Sequence, residues 1–372
     1  MSEFLKWLSA HPAAAATVVG SFGIVVLAVT SMYVVAFVQG RSVSFWPPKI
    51  GPKPDKAGQK ATEQEVESRR EQRVALASDA ERGSQSNPIV QKGTALTTAS
   101  GTRVVIESDF YSGATATLFR ASMPSNERVM VKVFWRGLMP GSKAWELFNR
   151  EQRVAEMIGH RNIVRTLDRG LRGGYPFTVL EYFGGGTLRD WLLTHDRIPG
   201  ADILSIAGQI ADALDFAHSR GVLHMDIKPG NILFESDPQS RVALGDFGIA
   251  RILGAVERNI TAAEGEFVGS PGYLAPEVFR GRDAQPASDI YSFGVVFYEM
   301  ITGKIPFDEI QEVHALMLAK TERDAPDIRT YRKNVPEAVA ERLEQTLRRT
   351  PAERPCSARA VLSGLEGLVG SL

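Results

Sequence analysis

Between His11 and Arg41 the sequence carries no charged residue. The run Pro12–Val38, PAAAATVVGSFGIVVLAVTSMYVVAFV, is apolar almost throughout and separates a short tail from the long remainder of the chain. About 20 predominantly apolar residues cross a bilayer as a helix, so this stretch is long enough even when tilted. A buried core helix rarely stays free of polar residues for so long. A secretory signal has a shorter apolar region closed by a small-residue cleavage site. The expectation is one transmembrane helix over residues 12–38, behind a tail of residues 1–11.

The flanks orient it. The tail sets Lys6 against Glu3, whereas the other side carries Arg41, Lys49, Lys53, Lys56 and Lys60 against Asp55. Cytoplasmic flanks are enriched in Lys and Arg, so the long C-terminal part is expected in the cytoplasm, beneath the cell's plasma membrane. A tail this short has no room for a sensor domain. An outside signal would have to enter through the anchor helix, by pairing with a second copy or with a membrane partner protein. Ala16 and Gly20, four apart, give weak support for such pairing.

Residues 39–100 read as a linker. Four prolines, Pro47, Pro48, Pro52 and Pro54, predict a stiff extended spacer without regular structure. The charged stretch 61–82 is rich in helix formers, with Glu65 and Arg69 at i,i+4 spacing. Its few apolar residues do not make a coiled-coil seam. Composition narrows the function classes. Lys plus Arg and Asp plus Glu are 43 each, so global charge offers nothing to a nucleic acid. The one cysteine, Cys356, makes no internal disulfide, and no His/Cys cluster has zinc-ligand spacing.

From about Thr94 short alternating runs predict strands: residues 102–110, 116–122 and 128–135, then the apolar run 175–183. A helical period occupies 143–159. Another covers 201–221, with Ile203, Ile206, Ile210, Leu214 and Ala217 on one face and Gly221 at its end. Beyond Pro276 the pattern is mainly helical. The expected fold class is α+β, with a small β-rich lobe at about 101–182, a larger helical lobe at about 183–368, and a ligand cleft between them.

The chemistry gathers in two short stretches. In LHMDIKPGNILF, Asp226 can accept a proton from a hydroxyl, Lys228 can neutralise phosphate charge, and Asn231 can ligate a hard cation through oxygen. Fifteen residues after Asn231, GDFG sets the Asp246 carboxylate in a glycine-flanked turn. Each feature alone is weak, since Asp in such a turn is commonly a turn residue. The ordered combination is much rarer.

That combination resembles the eukaryotic-type serine/threonine protein kinase family, over roughly residues 102–365. The resemblance implies a bilobal fold, ATP with Mg2+ or Mn2+ as cofactors, and Ser/Thr hydroxyls of proteins as acceptors. It implies Asp226 as the base that aligns the acceptor hydroxyl, and Asn231 and Asp246 as metal ligands. Lys132, in VMVK, would hold the α- and β-phosphates and pair with Glu151. In VLEYFGGGTL, Leu180 would be the gatekeeper, with the backbones of Glu181 and Phe183 on adenine. In GSPGYLAPE, Ser270 would align the acceptor and Glu277 would pair with Arg354, while Asp289 would brace the catalytic loop.

Three departures stand out. The glycine-rich phosphate loop falls on Tyr111, Ser112, Gly113, Ala114, Thr115, Ala116 and Leu118, with only its middle glycine kept. Met130 takes the place of a small residue packing on adenine. Met225 stands where most members have an arginine that meets an activation-loop phosphate. The first two predict altered ATP binding; the third predicts activity independent of phosphorylation, for which Thr261 is the most plausible loop site and Arg251 an alternative phosphate ligand. A signalling scaffold with little activity is the competing reading. It gives no chemical reason to keep Lys132, Glu151, Asp226, Asn231 and Asp246 together. A small-molecule kinase is opposed by the full GSPGYLAPE segment.

Overall fold

The structure, a computed structural model, describes residues 43–45, 48–50, 90–112, 116–134, 149, 157–195, 197–247, 251–252 and 271–369. The apolar run 12–38 and the charged stretch 61–82 lie outside the described residues. Among the described residues no helix is long and apolar enough to cross a membrane.

The chain divides into two units, residues 1–79 and 80–372. In the first, β1 (Val43–Phe45) pairs antiparallel with β2 (Pro48–Ile50), Val43 opposite Ile50. This corrects the expectation that the prolines exclude regular structure here. Pro48 is the first residue of its strand, a position where a missing N–H is tolerated.

The second unit begins with a six-stranded antiparallel sheet of β3 (Ala95–Thr97), β4 (Arg103–Ser112), β5 (Ala116–Ser122), β6 (Arg128–Phe134), β7 (Thr166–Arg172) and β8 (Tyr175–Glu181), in the order β3-β4-β5-β6-β8-β7. The predicted runs became β4, β5, β6 and β8; β3 and β7 had no clear signal. Alternation sorts the faces. Val104, Ile106, Phe119, Val129, Val131, Val133, Phe177 and Val179 are buried together on one face. Met130 and Lys132 point to the other, beside Leu180 and Leu118 in register. The sheet's outer strands are tied to each other, since Ala99 N donates to Arg169 O at 2.6 Å and Arg172 Nη1 to Ala95 O at 2.9 Å. Of the helix expected over 143–159, positions 149 and 157–159 are described; 149 and 157 are helical, and 158 and 159 are not.

The helical lobe opens with α1 (Leu188–Thr194), whose N-cap Thr187 and third residue Asp190 form a reciprocal capping box. Helix α2 (Gly200–Ser219) buries the predicted face, with Ile203, Ile206, Ile210, Leu214 and Ala217 all closed to solvent. It ends before Gly221, whose φ of +70° turns the chain out of the helix. Two small antiparallel pairs come next: β9 (Val222–Leu223) with β12 (Arg251–Ile252), and β10 (Ile232–Phe234) with β11 (Val242–Leu244). Then come α3 (Pro276–Phe279), α4 (Pro286–Thr302), α5 (Val313–Glu322), α6 (Glu337–Thr346) and α7 (Ala358–Leu362). Helix α4 is buried on every side from Ser288 to Ile301, the mark of a helix at the centre of a core.

One ion pair closes this lobe. Arg354 and Glu277 side chains are 0% and 3% exposed and meet in two 2.8 Å hydrogen bonds. The other donors of Arg354 reach the carbonyls of Arg348, Ala287 and Arg349, so all five N–H groups are satisfied. Ser288 Oγ donates to Glu277 at 2.6 Å. Burial alone would push the Glu277 carboxyl up; the Arg354 hydrogen bonds and charge outweigh it and hold it below the usual carboxylate range. Its contribution is therefore full above that range and fades as pH falls through the lowered folded-state value. Arg354→Met should cost roughly 3–5 kcal/mol in denaturant unfolding, by leaving a buried carboxylate alone. The cost should shrink in acid; a loss below about 1 kcal/mol at neutral pH would show the pair to be dispensable.

Candidate active site

The two short motifs meet because two strands pair. The 3-10 turn Pro229–Asn231 leads into β10, and the register Ile232 opposite Leu244 brings Asn231 beside Gly245, whose N–H donates to Asn231 O at 2.8 Å. Gly245 packs closely under Leu233, whose Cδ1 would lie 2.6 Å from an added Cβ and would have to move. Asp246 comes next, with φ +60°, the left-handed region that Asp tolerates better than most residues.

Asp226 is held from one side only. Its Oδ2 accepts from Asn231 Nδ2 and Lys228 Nζ, each at 2.9 Å. Asn231 Nδ2 also donates to Asp226 O at 2.8 Å. With its nitrogen so engaged, Asn231 presents its amide oxygen as the arm for a cation. Asp226 Oδ1 has no partner among the described residues, which leaves it for an incoming hydroxyl. Lys132 crosses from β6, and its Nζ lies 2.5 Å from Asp246 Oδ1. Lys132's charge, acting against burial, holds the Asp246 carboxyl below its ordinary range. Three of the four predicted catalytic residues and both predicted metal ligands are thus gathered at one cleft. Glu151, Ser270, Thr261 and residues 113–115 lie outside the described residues, as do the side chains of Ser112 and Arg251.

The loop that carries Asp226 is braced from the core. Asp289, 1% exposed, accepts from His224 N and His218 Nε2 through Oδ2, both at 2.8 Å, and from Met225 N through Oδ1 at 2.9 Å. Burial would raise the Asp289 carboxyl; the His218 hydrogen bond and the charges and N–H groups around it hold it low. His224 Nδ1 accepts from Asp226 N at 3.2 Å, so its Nε2 is the protonated nitrogen and donates to Gly245 O at 3.0 Å. The ring also lies 4.4 Å from that of Phe247. His224 thereby ties the loop that carries Asp226 to the turn that carries Asp246. Neither His218 nor His224 was assigned a role from sequence, because a histidine's partners are set by the fold.

At the opposite wall, the predicted adenine contacts sit on the connection between lobes. Glu181 N donates to Arg165 O at 3.0 Å, and its carboxylate pairs with Arg241 and with Arg165 Nε at 3.4 Å. Arg241 also lies 4.8 Å over the Phe183 ring. Its clamp on Glu181 and Phe183 had no signal in sequence. Phe183 is buried, and its N–H has no partner among the described residues, which suits a purine acceptor. In the phosphate loop, Tyr111 lies opposite Leu118 and Ser112 opposite Thr117 across the β4–β5 hairpin, while Ala116 is buried. Neither Tyr111 nor Ala116 adopts a positive φ, so neither lost glycine leaves the backbone strained there.

The donor set fits a nucleotide with a hard cation. Asp246 and Asn231 offer oxygen ligands, and Lys132 and Lys228 offer charge for phosphates. Among the described residues no group of three or more His, Cys, Asp or Glu side chains is placed to hold a metal. Magnesium is commonly bound by one or two such groups, with waters and substrate phosphates completing its shell.

A family model described as the protein kinase domain matches residues 108–364. The serine/threonine-protein kinase PknK of Mycobacterium bovis is 38% identical over 256 residues, 67% of this chain and 22% of that protein. A probable serine/threonine-protein kinase of Clostridium acetobutylicum is 34% identical over 267 residues, 72% of this chain and 40% of that protein. The serine/threonine-protein kinase PknL of Mycobacterium tuberculosis is 31% identical over 271 residues, 73% of this chain and 66% of that protein. The chain spans about a fifth of the first and less than two thirds of each.

Proposed function

The chain belongs to the protein kinase domain family, and from that premise we propose that it transfers the γ-phosphoryl group of ATP to serine and threonine hydroxyls of proteins, from a domain anchored in the plasma membrane and facing the cytoplasm. The observation that carries the transfer is the convergence of Lys132, Asp226, Lys228, Asn231 and Asp246 on one cleft. Phosphoryl transfer needs little covalent chemistry from the protein. It needs positioning and charges arranged in advance around a highly charged transition state.

Each residue then has a task. Asp226 orients the acceptor hydroxyl with its free Oδ1 and takes its proton. Lys228, fixed on Oδ2, keeps positive charge beside the transferring group. Asp246 and Asn231 would hold Mg2+ or Mn2+, which when bound neutralises phosphate charge. Lys132 sits on Asp246 and supplies the lysine for the α- and β-phosphates. Phe183 N–H and Glu181 O would take the purine edge. The anchoring rests on the apolar run 12–38 and the positive residues just beyond it.

Met225 bears on regulation. Its side chain is partly buried against the core of the helical lobe, and its N–H is held by Asp289. A thioether makes no charge-assisted bond to a phosphate, so the loop's shape comes from the core instead.

Labelled phosphate from ATP should reach a serine- and threonine-bearing protein substrate with the wild type, and fall roughly 10²–10⁴-fold with Asp226→Asn or Lys132→Met. Equal signals from all three would leave a scaffold as the better description. The full chain should sediment with membranes, and a chain lacking residues 1–40 should not; unchanged sedimentation would remove the anchor. Thr261→Ala should keep most of the turnover, and a loss beyond about tenfold, or about 1.4 kcal/mol, would restore a phosphorylation switch.

A further inference from the structure

Lys320 of α5 is 1% exposed, yet no carboxylate among the described residues pairs with it. Its Nζ donates to Gly272 O at 2.6 Å and to Pro271 O at 3.2 Å. The same nitrogen lies 5.1 Å from the Tyr291 ring centre and 5.6 Å from that of Phe279. Tyr291 carries Arg354 as well, at 4.9 Å. The nearby carboxylate, Glu277, has both oxygens engaged by Arg354 and one also by Ser288. Burial, reinforced by the charge of Arg354, pushes the Lys320 ammonium well below its ordinary range, with Glu277 opposing. A buried amine in such surroundings is costly, and a hydrophobic residue of equal length would pack there at least as well. What the lysine adds is two directed bonds to two consecutive carbonyls.

Those carbonyls belong to the segment between Ser270 and α3. Gly272 also packs closely under Ile305, whose Cδ1 would lie 2.7 Å from an added Cβ. We infer that Lys320 is a positioning residue for the acceptor protein: it sets the 271–272 peptide planes, and through them the wall against which the substrate chain lies. The inference rests on the kinase reading of the cleft. Lys320 touches neither nucleotide site nor reacting atoms, so it should govern protein-substrate recognition without governing ATP.

The test compares full-length wild type with Lys320→Met and Lys320→Gln. Met keeps the stem and removes the donor; Gln restores an N–H donor without charge. Lys320→Met should raise KM for the protein substrate about tenfold, the worth of one good hydrogen bond. Its KM for ATP and its Tm should stay near wild type, or Tm should rise, and Lys320→Gln should recover part of the lost affinity. An unchanged protein-substrate KM in Lys320→Met would overturn the inference, as would equal rises in both KM values. A fall in Tm shared by Met and Gln variants, with no difference in KM between them, would mark a merely structural lysine. A wild type without phosphate transfer would instead count against the kinase reading itself.

Discussion

A buried carboxylate that must find donors organises this site. Asp289 lies in α4, at the centre of the helical lobe, and its charge is compensated by two backbone N–H groups and a histidine. Leaving such a charge unpaired would cost several kcal/mol. The chain at 224–225 therefore adopts the shape that offers those N–H groups. His224 then fixes Gly245, β10–β11 pairing fixes Asn231, and Asn231 with Lys228 fixes Asp226. The loop's shape is thus set by the core helix at residues 224–225 and by its own Asn231 and Lys228 contacts at Asp226.

The wall near the substrate side is built by the same means. Arg354 saturates five donors around Glu277, and the Tyr291 ring meets both Arg354 and Lys320. A second network joins Arg189 of α1, Tyr273 and Glu299 of α4. Tyr273 Oη donates to Glu299 at 2.6 Å and accepts from Arg189, while Arg189 Nη1 reaches Glu299 at 3.0 Å. Burial drives the Glu299 carboxyl up, with Arg189 opposing, and raises the Tyr273 hydroxyl well above its ordinary range. Residues 271–277 are thus clamped on both flanks by buried polar groups. Apolar contacts alone would hold the segment against the core but would not choose the direction of its carbonyls.

Much of this was legible before folding, for definite reasons. Strands β4, β5, β6 and β8 and helix α2 announced themselves because each has one buried face and enough length for its period to register. Strand β7, TLDRGLR, did not, being an edge strand with polar residues on both faces and Gly170 inside it. Strands of two or three residues carry no period at all. Asp226, Lys228, Asn231 and Asp246 stood out in the sequence because side chains able to handle phosphates and a hard cation are closely spaced there, and the fold brings them together. The residues that place them were not. His218, His224, Arg241 and Lys320 act through partners distant in sequence, and a lysine in a helix reads as solvated until the fold buries it.

Met225 is held in an unusual backbone conformation by contacts to the core. Its φ of +68° is strained for a residue with a side chain, at a cost of order 1–3 kcal/mol. Against that stand the two N–H bonds of residues 224 and 225 to a charged acceptor, each worth roughly 1.5–3 kcal/mol, together with the thioether's burial against the core. These terms suffice to keep the backbone in its unusual conformation without a phosphate. An arginine at 225 would bring a charge needing its own partner and would make the loop's surroundings depend on whether that partner were present. Methionine brings no such charge, and the buried Asp289 carboxylate holds the backbone at 224–225 through its two N–H bonds.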